Sequence, residues 1–348
     1  MAGAMLVSSK RRRGLVKRGA LSLLIAVGLS GCGFDTTQSA LNPAGTVAQI
    51  QARMITSSFW IMMVVSVVVF SALIVAIIRF RAKPGQKTLP PQTEGNNRIE
   101  FLWTVTPAII LALMMIGTIN QSFVLGKIYP ASQALQVDVT GHQFWWQFQY
   151  PSANITTANE LHIPVGEKVE LILTSADVMH SFWVPRLGGK TDLIPGRTNY
   201  MWIEASQPGI YHGQCAEFCG TGHADMRITV DAEPPARYAV WVQSMTHPVS
   251  VPPKSSTLAY QGYLDFASAG CESCHTIGGT NFAGAVGPNL TDLSDRLMIA
   301  ANLIPNTLAN REAWIHDPQA VKPGALMPNL HLPSNEVTAI ATYLGTLK

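Results

Sequence analysis

Three regimes of hydrophobic and polar patterning follow one another along the chain. Residues 54–78 and 101–126 are apolar runs without a charged residue. Each exceeds the roughly 20 residues a helix needs to cross a bilayer, and the pair predicts a transmembrane hairpin. Pro107 falls within the first two turns of the second run, where a missing backbone donor costs least. From Leu135 to Asp231 the period drops to two. Segments such as QVDVTGHQFWWQFQY, ELHIPVGEKVELILTS and MRITVDAE alternate apolar and polar positions, with Pro and Gly between them. About a hundred residues of short strands predict a β-sandwich or Greek-key barrel. Pro234, Pro235, Pro248, Pro252 and Pro253 then bracket a predicted helix at 236–246 and a semi-rigid linker. Helical patterning returns beyond them and ends in a helix at 334–346.

Charge orients this arrangement. Arg79, Arg81, Lys83, Lys87 and Arg98 lie between the spans against Glu94 and Glu100, which places that loop in the cytoplasm. Both ends then face outward, and everything after about residue 127 is expected on the periplasmic or extracellular side. The N-terminus agrees. Lys10 to Arg13, Lys17 and Arg18 precede an apolar stretch at 19–29 that is too short to span, the pattern of an export signal. Leu29 to Cys32, LSGC, resembles the lipobox of bacterial lipoproteins. It implies a signal peptide over 1–31 and lipid on Cys32; a plain signal peptide with an incidental cysteine is the alternative. Only 13% of the 348 residues are charged, as expected for a membrane protein with large extramembranous parts. The net charge of +3, without a basic patch interleaved with aromatics, argues against nucleic acid.

The cysteines carry the chemistry. Cys215 and Cys219 lie in GQCAEFCGTGHADM with Glu217, His223 and Met226, and His180 precedes them in HSFWVP. Soft thiolates, a thioether and two imidazoles select copper over hard cations. A Cys2His2 zinc site, a disulfide and a core-filling Met226 remain open on spacing alone. A mononuclear copper site would leave one thiolate over. Further on, Cys271, Cys274 and His275 form C-x-x-C-H, the signature of covalent haem c with a histidine on the iron. Met327, on the Pro-flanked loop KPGALMPNL, is the preferred sixth ligand. Met298, His316 and His331 are its rivals.

GHQFWWQFQY, HSFWVP, GGKTDLIPGR and the cysteine loop together resemble subunit II of the haem–copper cytochrome oxidases, from the first span to about Asp231. The resemblance implies a cupredoxin barrel with a dinuclear CuA centre. Cys215 and Cys219 would bridge two coppers. His180 and His223 would cap one each, and Met226 and the Glu217 carbonyl would complete the sites. The Glu217 carboxylate would face a magnesium shared with subunit I. NRIEFLWTVTPAI resembles the family segment opening the second span, which implies that Glu100 stands at the mouth of a proton channel. An acid flanking a helix N-terminus is the plainer reading. Phe144 stands where the family commonly has the tryptophan that receives electrons from a soluble cytochrome c, leaving Trp145 or Trp146 to serve. Residues 257–348 resemble a class I cytochrome c, in which the Pro288 carbonyl would hold His275.

The expectation is a multidomain membrane protein. Its parts are a signal peptide (1–31), an N-terminal segment with the transmembrane hairpin (32–126), an all-β cupredoxin (127–233), a short helix and Pro-rich linker (234–256) and an all-α cytochrome c (257–348). It implies the subunit II of a caa-type cytochrome c oxidase. Electrons would pass from a cytochrome c or cytochrome bc complex through haem c and CuA to subunit I, which, with subunit III beside it, reduces oxygen and pumps protons. The chain itself holds no oxygen-reducing centre. A CuA-containing nitric oxide reductase subunit is the alternative reading; from another class, so is a copper-delivery or redox-sensing lipoprotein.

Overall fold

The computed structural model describes residues 37–81, 85, 94–248 and 251–348. The export signal, Cys32, Lys83 and Lys87 lie outside them. Helix α1 runs Thr46–Arg79 and α2 runs Asn97–Leu125. Along both spans the apolar side chains are exposed, as a lipid-facing surface requires. At 34 residues and about 1.5 Å per residue, α1 outruns the hydrocarbon core. It begins eight residues before the apolar run because its first turns dock on protein. Val47 packs with Tyr129 and Trp202, and Thr46 Oγ1 donates to Glu204. Asn96 caps α2, accepting from Arg98 N and Ile99 N, and Glu100 lies in the exposed first turn.

Ten strands follow: β1 Leu135–His142, β2 Trp145–Tyr150, β3 Ile155–Ala158, β4 Glu160–Pro164, β5 Val169–Ser175, β6 His180–Trp183, β7 Thr191–Leu193, β8 Asn199–Ile203, β9 Gly209–Cys215 and β10 Arg227–Glu233. They form two five-stranded sheets, ordered β3-β2-β1-β5-β8 and β4-β10-β9-β6-β7. The pairs β1–β5 and β4–β10 are parallel and the others antiparallel. Alternation decides which side chains face inward. Val137 and Val139, Leu171 and Leu173, and Ile228, Val230 and Ala232 meet Trp146, Phe148 and Phe182 between the sheets. Each fully buried side chain of this size contributes about 1.5–3 kcal/mol.

Helix α3, Pro235–Thr246, lays Trp241 and Met245 on the barrel. The last region contains α4 Thr257–Ser268, a short pair β11 Met298–Ile299 and β12 Ile304–Pro305, α5 Leu308–His316, α6 Pro318–Val321 and α7 Ser334–Leu344. Helices dominate it, as expected; the β11–β12 pair was not foreseen. Helices α4 and α7 cross with Gly262 against the Ala339 carbonyl, leaving no room for a Cβ.

Hydrogen bonds with a backbone group on at least one side join this region to the barrel. Lys322 Nζ donates to the Phe144 carbonyl at 2.7 Å and Asn302 Nδ2 to the Asn159 carbonyl at 2.7 Å. Met298 N donates to Glu160 Oε1 at 3.1 Å and Arg227 N to the Ala301 carbonyl at 3.3 Å. Trp145, Ala158 and Ala301 form a small buried cluster at the seam.

Candidate metal and haem sites

The strand end β6, the strand end β9 and the loop after β9 converge at one edge of the barrel. Residues far apart in sequence meet there. Cys215 Sγ lies 3.9 Å from Cys219 Sγ, 3.9 Å from His180 Nδ1 and 3.2 Å from the Glu217 carbonyl. Cys219 Sγ lies 3.6 Å from His223 Nδ1 and 3.8 Å from Met226 Sδ. His180, Cys215, Cys219 and Met226 are buried. The donor set is two thiols, two imidazoles, one thioether and one carbonyl, the soft and borderline mixture that suits copper.

Electrostatics prepare the site. The hydrogen bond from Cys219 outweighs burial and holds the Cys215 thiol well below its usual range. The same bond and burial push Cys219 up. One thiolate forms readily, and a bound cation would displace the second proton. Burial works against a charged His180, yet its hydrogen bonds to Cys215 and Asp177 raise it overall. Asp177 is the partner that sequence reading missed. Its Oδ1 meets His180 Nε2 at 2.8 Å, which leaves Nδ1 facing the thiols. Asp177 is fixed in turn by Val178 N at 2.6 Å and Gln143 N at 2.7 Å. Only its position three residues before the histidine could have signalled it. Gly141 is needed beside His180, because a Cβ there would lie 2.7 Å from the ring.

Outside the cluster, the Glu217 carboxylate meets Lys190 Nζ at 3.7 Å in a half-exposed pair. Phe144 is buried, its ring against Gly220 and Gly222 of the cysteine loop. Gln143 Nε2 donates to the Cys219 carbonyl at 2.6 Å. Trp146 is core, edge-on to His180 at 6.0 Å. Trp145 stacks on His142 at 4.1 Å.

The second site is a cavity of 340 Å³, lined by Cys271, Cys274, His275, Pro288 and Met327 among apolar side chains. His275 Nδ1–H donates to the Pro288 carbonyl at 2.8 Å. That bond fixes the tautomer and leaves Nε2 free as an acceptor. Burial lowers the His275 pKa, keeping the imidazole neutral and fit to bind a metal. Gly287 lies so close that a Cβ would stand 2.5 Å from the imidazole. Of the rivals to Met327, Met298 also lines the cavity, whereas His316 and His331 do not. Gln143, Phe144 and Trp145 of the barrel form part of the cavity wall. These residues fit a covalently attached haem.

An apolar helical hairpin, a barrel edge with copper-type donors and a helical domain with a haem-type cavity are the parts of a membrane-anchored metalloprotein. Comparison with known proteins makes the class specific. Residues 36–120 match the family described as cytochrome c oxidase subunit II, transmembrane domain; residues 152–233 match its periplasmic domain; residues 261–348 match cytochrome c. Cytochrome c oxidase subunit 2 of Alkalihalophilus pseudofirmus is 41% identical over 326 residues, covering 92% of this chain and 94% of that one. The same subunit of Bacillus sp. strain PS3 is 34% identical over 343 residues, covering 93% and 95%. Quinol oxidase subunit 2 of Bacillus cereus is 35% identical over 229 residues, covering 65% and 77%. The chain belongs to the cytochrome c oxidase subunit II family and carries a C-terminal cytochrome c domain. It is therefore part of a membrane-bound oxidoreductase.

Proposed function

We propose that the chain is the electron-receiving subunit of a terminal oxidase, with its barrel and cytochrome domain on the periplasmic or extracellular face. When bound, covalent haem c and two coppers would supply one-electron carriers that relay electrons from a cytochrome c or cytochrome bc complex to subunit I, for oxygen reduction coupled to proton pumping. The observation that carries this reading is the convergence of His180, Cys215, Glu217, Cys219, His223 and Met226 at one barrel edge. Two thiolates so placed can be shared between two ions, which explains the cysteine surplus over a mononuclear site. The relatives favour an oxidase over a nitric oxide reductase or a copper-delivery lipoprotein.

The chain's own residues do the holding and aiming. Asp177 orients His180, and Pro288 orients His275. Cys271 and Cys274 would anchor the haem through thioethers, and His275 and Met327 would offer its iron an imidazole and a thioether donor, a pairing that raises a haem potential. Gln143 spans the gap between the sites, with its neighbours in the haem cavity wall and its amide on the Cys219 carbonyl. Phe144 lies under the cytochrome domain, so the tethered haem replaces a soluble donor at that surface. Val178, Met179 and Phe218 stay exposed around the cysteine loop, an apolar rim suited to contact with subunit I. We assign Glu217 to a magnesium at that contact and Glu100 to the mouth of a proton channel. Metal analysis of the purified chain tests the centre: two coppers per haem support it, and one per haem contradicts the shared-thiolate reading.

A further inference from the structure

Among the described residues, one more cluster of metal-ligating side chains exists, and it lies apart from both sites above. His162 projects from β4, and Asp231 and Glu233 from β10. Asp231 pairs with His162 in the parallel register, and Glu233 follows two residues on. Val230 and Ala232 between and beside them point into the core, so all three polar side chains share the outer face. A ligand atom from each lies within 4.8 Å of the other two.

Two observations point to an ion. His162 Nδ1 and Glu233 Oε2 are buried, face each other at 3.5 Å and make no hydrogen bond. The Glu233 side chain is only 4% exposed. Buried polar atoms nearly always have a partner, so two orphans aimed at one point call for a ligand. The spacing fits one: donors about 2.1 Å from a tetrahedral zinc lie about 3.4 Å apart. The surroundings also hold the donors in place. Arg237 Nε binds Glu233 Oε1 at 2.9 Å, leaving Oε2 turned toward His162. Trp241 of α3 stacks on the imidazole at 4.3 Å and 9°, and the Tyr150 hydroxyl grips the His162 backbone on both sides. Charge is in deficit as well. Glu160, Asp231, Glu233 and Asp292 share this neighbourhood with the guanidiniums of Arg237 and Arg296.

We propose that His162, Asp231 and Glu233 form a zinc site distinct from the copper loop. Imidazole nitrogen and carboxylate oxygen are both zinc donors, and three protein ligands leave a fourth tetrahedral position for water. The imidazole disfavours magnesium and calcium, which take oxygen ligands. The ion would pin the outer face of β4 and β10 beneath Trp241, at the root of the helix that leads to the cytochrome domain.

The test uses the full-length chain with haem and copper loaded, equilibrated with micromolar zinc chloride, gel-filtered and analysed for metals. One zinc per chain beyond the copper is expected, with only nitrogen and oxygen neighbours in zinc-edge X-ray absorption. His162→Gln should lose it. Arg237→Gln, which frees a ligating carboxylate, should bind about 10–100-fold more weakly. Haem absorbance and copper content should stay unchanged in both. If His162→Gln fails to fold, seen as lost haem and copper, Asp231→Asn, at a partly buried position, takes its place. Zinc retained equally by native chain and variants would overturn the site as adventitious. No zinc retained by the native chain would make the cluster an ion pair only. Copper held on these ligands in place of zinc would overturn the metal assignment.

Discussion

The copper loop and the haem cavity are built on opposite plans. At the copper loop the donors already touch one another: five side chains from β6, β9 and one loop close on each other within hydrogen-bonding range, and Cys215, Cys219 and Met226 join the packed core of the barrel. At the haem cavity the donors line a 340 Å³ space in a region whose core is assembled around it. A small ion needs only atoms at the right spacing, and a rigid sheet edge provides that. A large apolar group is itself core, and a domain of about ninety residues has little other apolar surface to bury. The difference separates loss of function from loss of fold.

Substituting the two regions should therefore give opposite phenotypes. Cys219→Ser removes a shared ligand. Oxygen uptake should fall by more than the 10–100-fold that follows loss of a ligand's supporting partner, while circular dichroism stays unchanged and the c-haem still reduces. Unimpaired uptake would remove the copper loop from the path. Cys271→Ser combined with Cys274→Ser removes the haem anchor; limited proteolysis should then cut within 257–348 and spare the barrel. Equal resistance in both regions would erase the contrast. Asp177→Asn keeps the shape but weakens the carboxylate that aims His180, and copper affinity should drop about 10–100-fold. Met327→Leu should lower the haem potential appreciably within the roughly 0.8 V that axial ligands span, and Met298→Leu should not. The reverse would make Met298 the ligand. Lys322→Met deletes a charged hydrogen bond to the Phe144 carbonyl, worth about 1.5–3 kcal/mol. It should slow haem-to-copper transfer the least of these changes, and mainly by loosening the seam.

Sequence pattern foretold the elements and singled out the side chains that the structure brings together, and for clear reasons. Charge-free runs of 25 residues have few physical outcomes, period-two alternation over β1, β5 and β10 fixes an inner and an outer face, and C-x-x-C-H is a compact motif. What stayed hidden depends on tertiary approach. Asp177 is an ordinary loop aspartate until its carboxylate is seen on His180 Nε2. Lys322 reads as a solvated lysine, yet its ammonium is buried on a carbonyl 178 residues away, and burial lowers it to about 8. Trp145 and Trp146 are adjacent in sequence, and alternation along β2 turns one to the core and the other to the cytochrome seam. The extra turns of α1 follow the barrel surface near Trp202, which the hydropathy of the chain does not encode.

Electrons are proposed to pass from the cytochrome domain to the copper loop across a docked seam at Gln143, Phe144 and Trp145. Flash photoreduction of haem c in the full-length chain, followed at the copper absorbance while solvent viscosity is raised, tests it most directly. A docked seam predicts a single phase whose rate does not change with viscosity. A rate falling in proportion to viscosity would show a domain that must swing to meet the copper loop, and would contradict the account.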